Sequence, residues 1–414
     1  MEKIDVPVDD NSPSIEHILR PISFTSWLLG VGVARPQKCS KAVTIIIRIV
    51  HLAVCSVSMV YHVIDYISYY FSIYDPDDHV YTIIYCIDRV MCFVSAYYYV
   101  YHGIGQYDKW PELMNKIKEL DQKIRRETHI NNQPVKNAAV VALLTTFVCY
   151  LLFLNLHIFY YFMYTQDIYV TDFLFDYTLI QSLINSFIFD VVVYVLYYRF
   201  QTINKVINQL DVMANPPWIA LKIRRIREWH TSICDLVMLA NDIHGVHLLF
   251  CSVNSFTMVV AALFRIYSAV LTREDKYYEI LIDNIIWILG TIQFGLMCWI
   301  CTLARQESDK TGIIMCAILL KYKSMNQDKL HETGNLLNVE MRSPSENQDS
   351  EQNFNCSGGH NLNYIENFLR KNLEKDCVRN EINDFLIQLQ HHRVAFMACN
   401  FFEMSNILFS GVST

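Results

Sequence analysis

Charge is thin along this chain. Asp, Glu, Lys and Arg make up 18% of its 414 residues, where a soluble protein usually carries about 25%. That shortage excludes the reading that length alone would suggest, two or three soluble domains. Glycine (12) and proline (10) are also scarce. Secondary transporters repeat internally and break their helices with these residues, and neither sign is present. Lys and Arg form no patch suited to nucleic acid. The 13 cysteines are odd in number and irregularly spaced, which argues against a disulfide framework. Cys298-x-x-Cys301 has no second pair, and His244 and His247 sit three apart without a third ligand. No nucleophile is spaced with a base and no metal cluster is apparent, so neither an enzyme nor a cofactor is expected. No cleavable signal peptide opens the chain.

What is present is apolar and aromatic. Hydrophobic residues reach 53%, with 26 Tyr and 23 Phe, and they fall in long blocks, as in a polytopic membrane protein. Six blocks are long enough to span a bilayer: about 42–67, 80–103, 137–164, 173–198, a stretch from near Gly245 to 271, and 280–303. The fifth begins as a polar amphipathic helix near Trp229, and the sixth runs on through Ala304–Lys323. The division read from this is a cytoplasmic N-terminal arm (1–41) with a surface helix at 15–29, six spans with loops (42–304), and cytosolic helices (305–393). An Asn/Gln/Ser/Glu-rich disordered loop is expected at 326–361, and an incomplete seventh transmembrane or pore helix at 394–414.

The loops fix an orientation. Lys and Arg number five before the first span, none in 72–79, seven in 104–137, none in 165–172, six in 199–230 and two in 272–279. This alternation fits the positive-inside rule. The expected fold is therefore an all-α membrane protein. It is a seven-transmembrane helix bundle with a cytoplasmic N-terminus, and helices 4–6 extend into a cytosolic anchor region. That orientation is opposite to a G-protein-coupled receptor. Asp88 and Arg89 lie inside the second span and must face the bundle interior or water, with Asp65 a possible partner of Arg89 across helices. Amphipathic stretches at 217–240, 305–323 and 362–391 are expected to pack together in the cytosol and to form a subunit contact.

Three stretches carry a resemblance. They are Cys234-Asp-Leu through Asn241-Asp-Ile-His-Gly-Val-His-Leu248, then Ala304-Arg-Gln-Glu-Ser-Asp-Lys-Thr311, and Phe396-Met-Ala-Cys-Asn-Phe401. With the architecture, they make the chain resemble the insect gustatory receptors, relatives of the insect odorant receptors. The resemblance implies a multi-pass plasma-membrane receptor: a ligand-gated, non-selective cation channel opened by a tastant such as a sugar or bitter compound. It also implies assembly as a homo- or hetero-tetramer with other gustatory receptors in the lipid bilayer. An odorant receptor subunit or a membrane transporter is the alternative. Family members end in a Thr-Tyr-aliphatic-Gln-Phe motif that lines the pore. This sequence stops at Ser413-Thr414 before any such motif, so as written it is expected to insert without conducting. The pore role then falls to Ile407, Ser410, Ser413 and Thr414.

Ligand residues are expected on the outer halves of the spans, where aromatic walls and a few polar groups could orient a small molecule: Tyr81, Tyr85, Phe159, Tyr160, Asp176, Tyr177, Gln181, Asn284 and Trp287. Asn284 and Trp287 share a helix face. In the resemblance they match positions where relatives place an amide and an indole.

Overall fold

Each long apolar block becomes a helix. The computed structural model describes residues 14–36, 39–72, 79–164, 170–210, 215–272, 277–340 and 376–413. Helices α1 (Ile15–Leu28), α2 (Lys41–Ser72), α3 (His79–Gly105), α4 (Lys109–Arg125), α5 (Gln133–Tyr164), α6 (Val170–Asn208), α7 (Pro216–Thr272) and α8 (Tyr277–Glu340) follow in order. Residues 376–391 are helical as well (α9). Strands β1 (Met397–Ala398) and β2 (Phe402–Glu403) then pair antiparallel, and α10 (Asn406–Ser413) closes the described chain. Among the described residues, five helical stretches are long and apolar enough to cross a membrane: Lys41–Ile64, Gln133–Phe159, Phe173–Asn208, Pro216–Phe264 and Asn284–Tyr322. The 27-residue α3 occupies the place expected for the second span.

The chain divides into two units. The larger holds Met1–Tyr198, Asp235–Arg305 and Val394–Thr414. In it α1, capped by the Ser14 hydroxyl on the His17 N–H, is no free arm. Ile15, Ile18, Leu19 and Ile22 are buried, and α1 packs on α4 and α5. The Trp27 indole N–H donates to Thr44 Oγ1 at 3.0 Å. The loop after it is buried too, through Val31, Val33 and Ala34. Gly30 and Gly32 take φ of 71° and 60° there. A Cβ on Gly30 would strike the His51 ring, and one on Gly32 the Asn185 side chain. The arm expected at 1–41 is thus, from Ser14 on, packed against the bundle, because its apolar face has helices to cover it.

The smaller unit holds Arg199–Cys234 and Gln306–Arg393. Its centre is His230, whose ring lies 5.3 Å from Phe200 and 5.6 Å from Phe385, with Ser308 Oγ 3.4 Å from its Nε2. Asn204 Nδ2 donates to Glu307 Oε1 (3.0 Å), and Asn204 Oδ1 accepts from the Thr311 hydroxyl (2.7 Å). Arg227 reaches Glu381 and Asp384 of α9, each at 3.3 Å. The Gln388 amide donates to Thr231 Oγ1 at 2.7 Å. The three amphipathic stretches therefore do meet, within one chain.

Two expectations need correction. The disordered loop at 326–361 is helical up to Glu340, as the end of α8. Residues 326–340 include Gln327, Lys329, Leu330, Glu332, Leu336 and Leu337, which can extend a helix that is already nucleated; residues 341–361 lie outside the described ones. The stretch at 394–414 is not one helix either. Cys399 and Asn400 take φ of 50° and 62°, and the Phe401 N–H closes on the Ala398 carbonyl at 2.9 Å. This left-handed pair, tolerated by Asn, turns the chain back in a hairpin before α10.

Candidate functional site

A partly open cavity of about 100 Å³ lies inside the larger unit, walled by α3, α5, α6, α7 and α8. Its walls are mainly apolar, with Phe153, Leu183, Leu289, Phe294 and Met297 among them. Polar groups enter at spaced points. Thr178, Ser182 and Ser186 recur every fourth residue along α6, so they share one face. Ser95 and Tyr99 come from α3, Asn254 and Cys251 from α7, and Gln293 from α8. Among the described residues, no charged side chain lines it.

Behind this lining runs a buried network. The Gln293 amide donates to Asp190 Oδ2 at 2.7 Å. His247 has Nδ1 3.0 Å from Asn185 Nδ2 and Nε2 3.3 Å from Ser186 Oγ. Cys251 Sγ lies 3.4 Å from Ser186 Oγ and 3.8 Å from the Tyr99 hydroxyl. Both ring nitrogens of His247 therefore face protein polar groups. The His244 ring stands 6.2 Å away, edge-on. Among the described residues no three His, Cys, Asp or Glu gather to hold a metal ion.

One wall touches the chain's last helix. Phe294 lies 6.3 Å from the Phe409 ring, and Gly295 makes room for that ring: a Cβ there would come within 3.0 Å of it. Thr302 Oγ1 accepts from the Asn406 N–H at 3.0 Å, at the start of α10. The hairpin before α10 is fastened twice more. Asn241 donates to the Ala395 carbonyl (2.8 Å) and accepts from the Met397 N–H (3.2 Å). Arg305 Nη1 meets Glu403 Oε1 at 2.7 Å. Gly245 allows the close approach, since a Cβ would lie 3.3 Å from the Cys399 nitrogen. The three stretches that carry the resemblance thus come together here, with Asn241 and Gly245 of the first against Met397 and Cys399 of the third, and Arg305 of the second on Glu403 just beyond it.

Six of the nine expected ligand residues have described side chains. Tyr81, Tyr85 and Tyr160 sit on helices, with side chains outside the described set. Of the others, none lines the cavity. Tyr177 and Gln181 hold the loop after α1: the Gln181 amide donates to the Leu29 carbonyl at 2.7 Å, and the Tyr177 hydroxyl lies 2.6 Å from His51 Nδ1. Asp176 is buried 2.8 Å from His157 Nδ1. Trp287 spends its indole N–H on Asn284 Oδ1 at 2.7 Å. Arg89 stacks on the Phe175 ring at 3.6 Å, whereas the Asp65 side chain lies outside the described set. Of the pore residues, Ile407 and Ser410 are exposed on α10; the Ser413 side chain and Thr414 are not described. The signal that would have found the cavity is the Thr178-Ser182-Ser186 stripe in an otherwise apolar run.

Among the described residues, five helices long and apolar enough to cross a bilayer give the architecture of a multi-pass helical membrane protein. The chain matches the 7tm chemosensory receptor family over residues 19–332, and it belongs to that family of insect gustatory and odorant receptors. Its fold is similar to that of the insect olfactory receptor OR5 from Machilis hrabei. The TM-score is 0.51 at 10% identity, over 95% of this chain and 94% of that one. No curated protein matches it by sequence.

Proposed function

We propose that the chain is a gustatory receptor: the subunit of a plasma-membrane, ligand-gated cation channel that opens when a small tastant occupies the bundle cavity. The observation that carries this is the shared wall. Phe294 lines the cavity and packs on Phe409, so a ligand that moves α8 side chains also moves α10. Such coupling requires only that the ligand bind the two arrangements of this contact with different affinity. α10 presents Ile407 and Ser410 outward, where the corresponding helices of neighbouring subunits would complete a pore. Loop charge supports a cytoplasmic N-terminus.

Assembly as a tetramer has its support in the smaller unit, where Trp218, Leu221, Ile313, Leu320 and Ile387 stay exposed. An apolar surface of that kind gains from being covered.

The test is a recording. Cells expressing the chain extended with the Thr-Tyr-aliphatic-Gln-Phe ending are exposed to sugars, bitter compounds and volatile odorants, and cation current is measured. An evoked current that Leu289→Trp abolishes, with surface expression unchanged, supports the reading. A current indifferent to Leu289→Trp places the ligand outside the cavity, and a response confined to volatile odorants reassigns the receptor to olfaction.

A further inference from the structure

The loop after α1 reaches into the interior of the larger unit. Residues 29–34 are not helical. They nevertheless meet His51 within the apolar stretch Lys41–Ile64, and Tyr177, Gln181 and Asn185 within Phe173–Asn208. Irregular backbone among spanning helices persists only where protein covers it and pairs its polar groups. Both conditions are met. The Leu28 carbonyl lies 2.9 Å from His51 Nε2. The Leu29 carbonyl accepts from the Gln181 amide at 2.7 Å and from the Tyr177 hydroxyl at 3.3 Å. Ser26 Oγ donates to the Val31 carbonyl at 2.8 Å. The N–H groups of Leu29, Gly30 and Val31 turn back to the carbonyls of Thr25, Trp27 and Ser26.

Leu29 is thereby pinned at its backbone on both sides of its Cα. Its side chain packs on the cluster of Cys149, Phe153 and Ile180. Cys149 and Phe153 are buried, one turn apart on α5, and both line the cavity. Leu29 does not line it. It stands outside the cavity, against two of the side chains that form its wall. A lining side chain that gives way to a larger ligand has to displace what backs it, because a close-packed interior compresses little. Leu29 resists that displacement, since its own backbone is held by α2 and α6.

We infer that Leu29 is a specificity-determining residue of the cavity: from outside the lining it sets how far the Cys149–Phe153 wall yields, and so how large an uncharged, mainly apolar molecule the cavity takes. The inference rests on the cavity being the ligand site proposed above. A stretch that precedes the first span would then decide ligand size among the spans.

Cyclopentanone and cycloheptanone share a carbonyl and differ by two ring methylenes. Each methylene that a cavity accommodates is worth about fourfold in affinity. Binding of both to the purified full-length chain is read as the shift of melting temperature over a concentration series. Leu29→Ala leaves room behind the wall and should raise the affinity of cycloheptanone relative to cyclopentanone at least about fourfold over the wild type. Leu29→Met restores the volume and should return the wild-type ratio. Where Leu29→Ala melts before it can be measured, Leu29→Val is read instead, with a smaller rise in the same direction. Leu289→Trp fills the cavity and should remove binding of both ketones. A merely structural Leu29 would lower the melting temperature of the free protein and leave the ratio alone. An unchanged ratio in Leu29→Ala or Leu29→Val, with binding lost in Leu289→Trp, overturns the role of Leu29 and leaves the cavity as the ligand site. Binding of both ketones that survives Leu289→Trp overturns the cavity reading itself. Binding of neither ketone to the wild type or to Leu29→Ala overturns the inference.

Discussion

Asn241 is the side chain whose two hydrogen bonds hold the hairpin backbone. Asn241→Leu fills similar space but leaves the Ala395 carbonyl and the Met397 N–H without those partners. A loss of about 2 kcal/mol is expected, read as a lower melting temperature of the purified protein; an unchanged value would show that the hairpin is held by other contacts. Arg305 and Glu403 offer a complementary check. Their contact is short, 2.7 Å, and about three-quarters buried. Arg305→Glu or Glu403→Arg alone should each reduce evoked current, and the pair together should restore it, as expected for a charge contact whose partners are exchanged. Failure of the double reversal to recover would assign the two residues separate roles.

The helices were the most legible part of the sequence, and the reason is length. Runs of twenty apolar residues exclude other spanning structures, so α2, α3, α5 and α6 start within about four residues of their expected positions. The long reach of α7 was legible from Trp229 on and that of α8 as far as Lys323, whereas 326–340 were read as other than helix. The hairpin was not. Apolar residues continue through 394–414, and the turn depends on two left-handed residues that contacts with Asn241, Gly245 and Arg305 stabilise from far along the chain. The cavity was missed for a similar reason: Tyr177, Gln181 and Trp287 have the chemistry of ligand residues, yet their polar atoms are engaged with Leu29, His51 and Asn284. Composition reveals polar groups in a span, whereas only packing reveals which of them are left over.

α9 separates two roles that amphipathic patterning alone merges. Phe385 is fully buried against His230, while Ile387, two residues on, is 54% exposed. Phe385→Glu places a charge in the core of the smaller unit and is expected to cost on the order of 4 kcal/mol, seen as loss of folded protein. Ile313→Glu with Ile387→Glu should leave folding intact and shift native gels from oligomer to monomer. Oligomers that persist would locate the subunit contact elsewhere.

The protein is expected in the plasma membrane with residue 1 in the cytosol, since Lys- and Arg-rich loops alternate with loops that have two or none. An epitope tag at residue 1 should stain only after permeabilisation, and staining of intact cells would reverse the orientation. Everything proposed for signalling then depends on where the ligand sits. The direct measurement is an experimental structure of the full-length protein in lipid with an activating compound bound. Density for the compound is expected between α3, α5, α6, α7 and α8, with the Phe294–Phe409 contact changed relative to the unbound protein. An empty cavity, with the compound ordered elsewhere on the receptor, would contradict it.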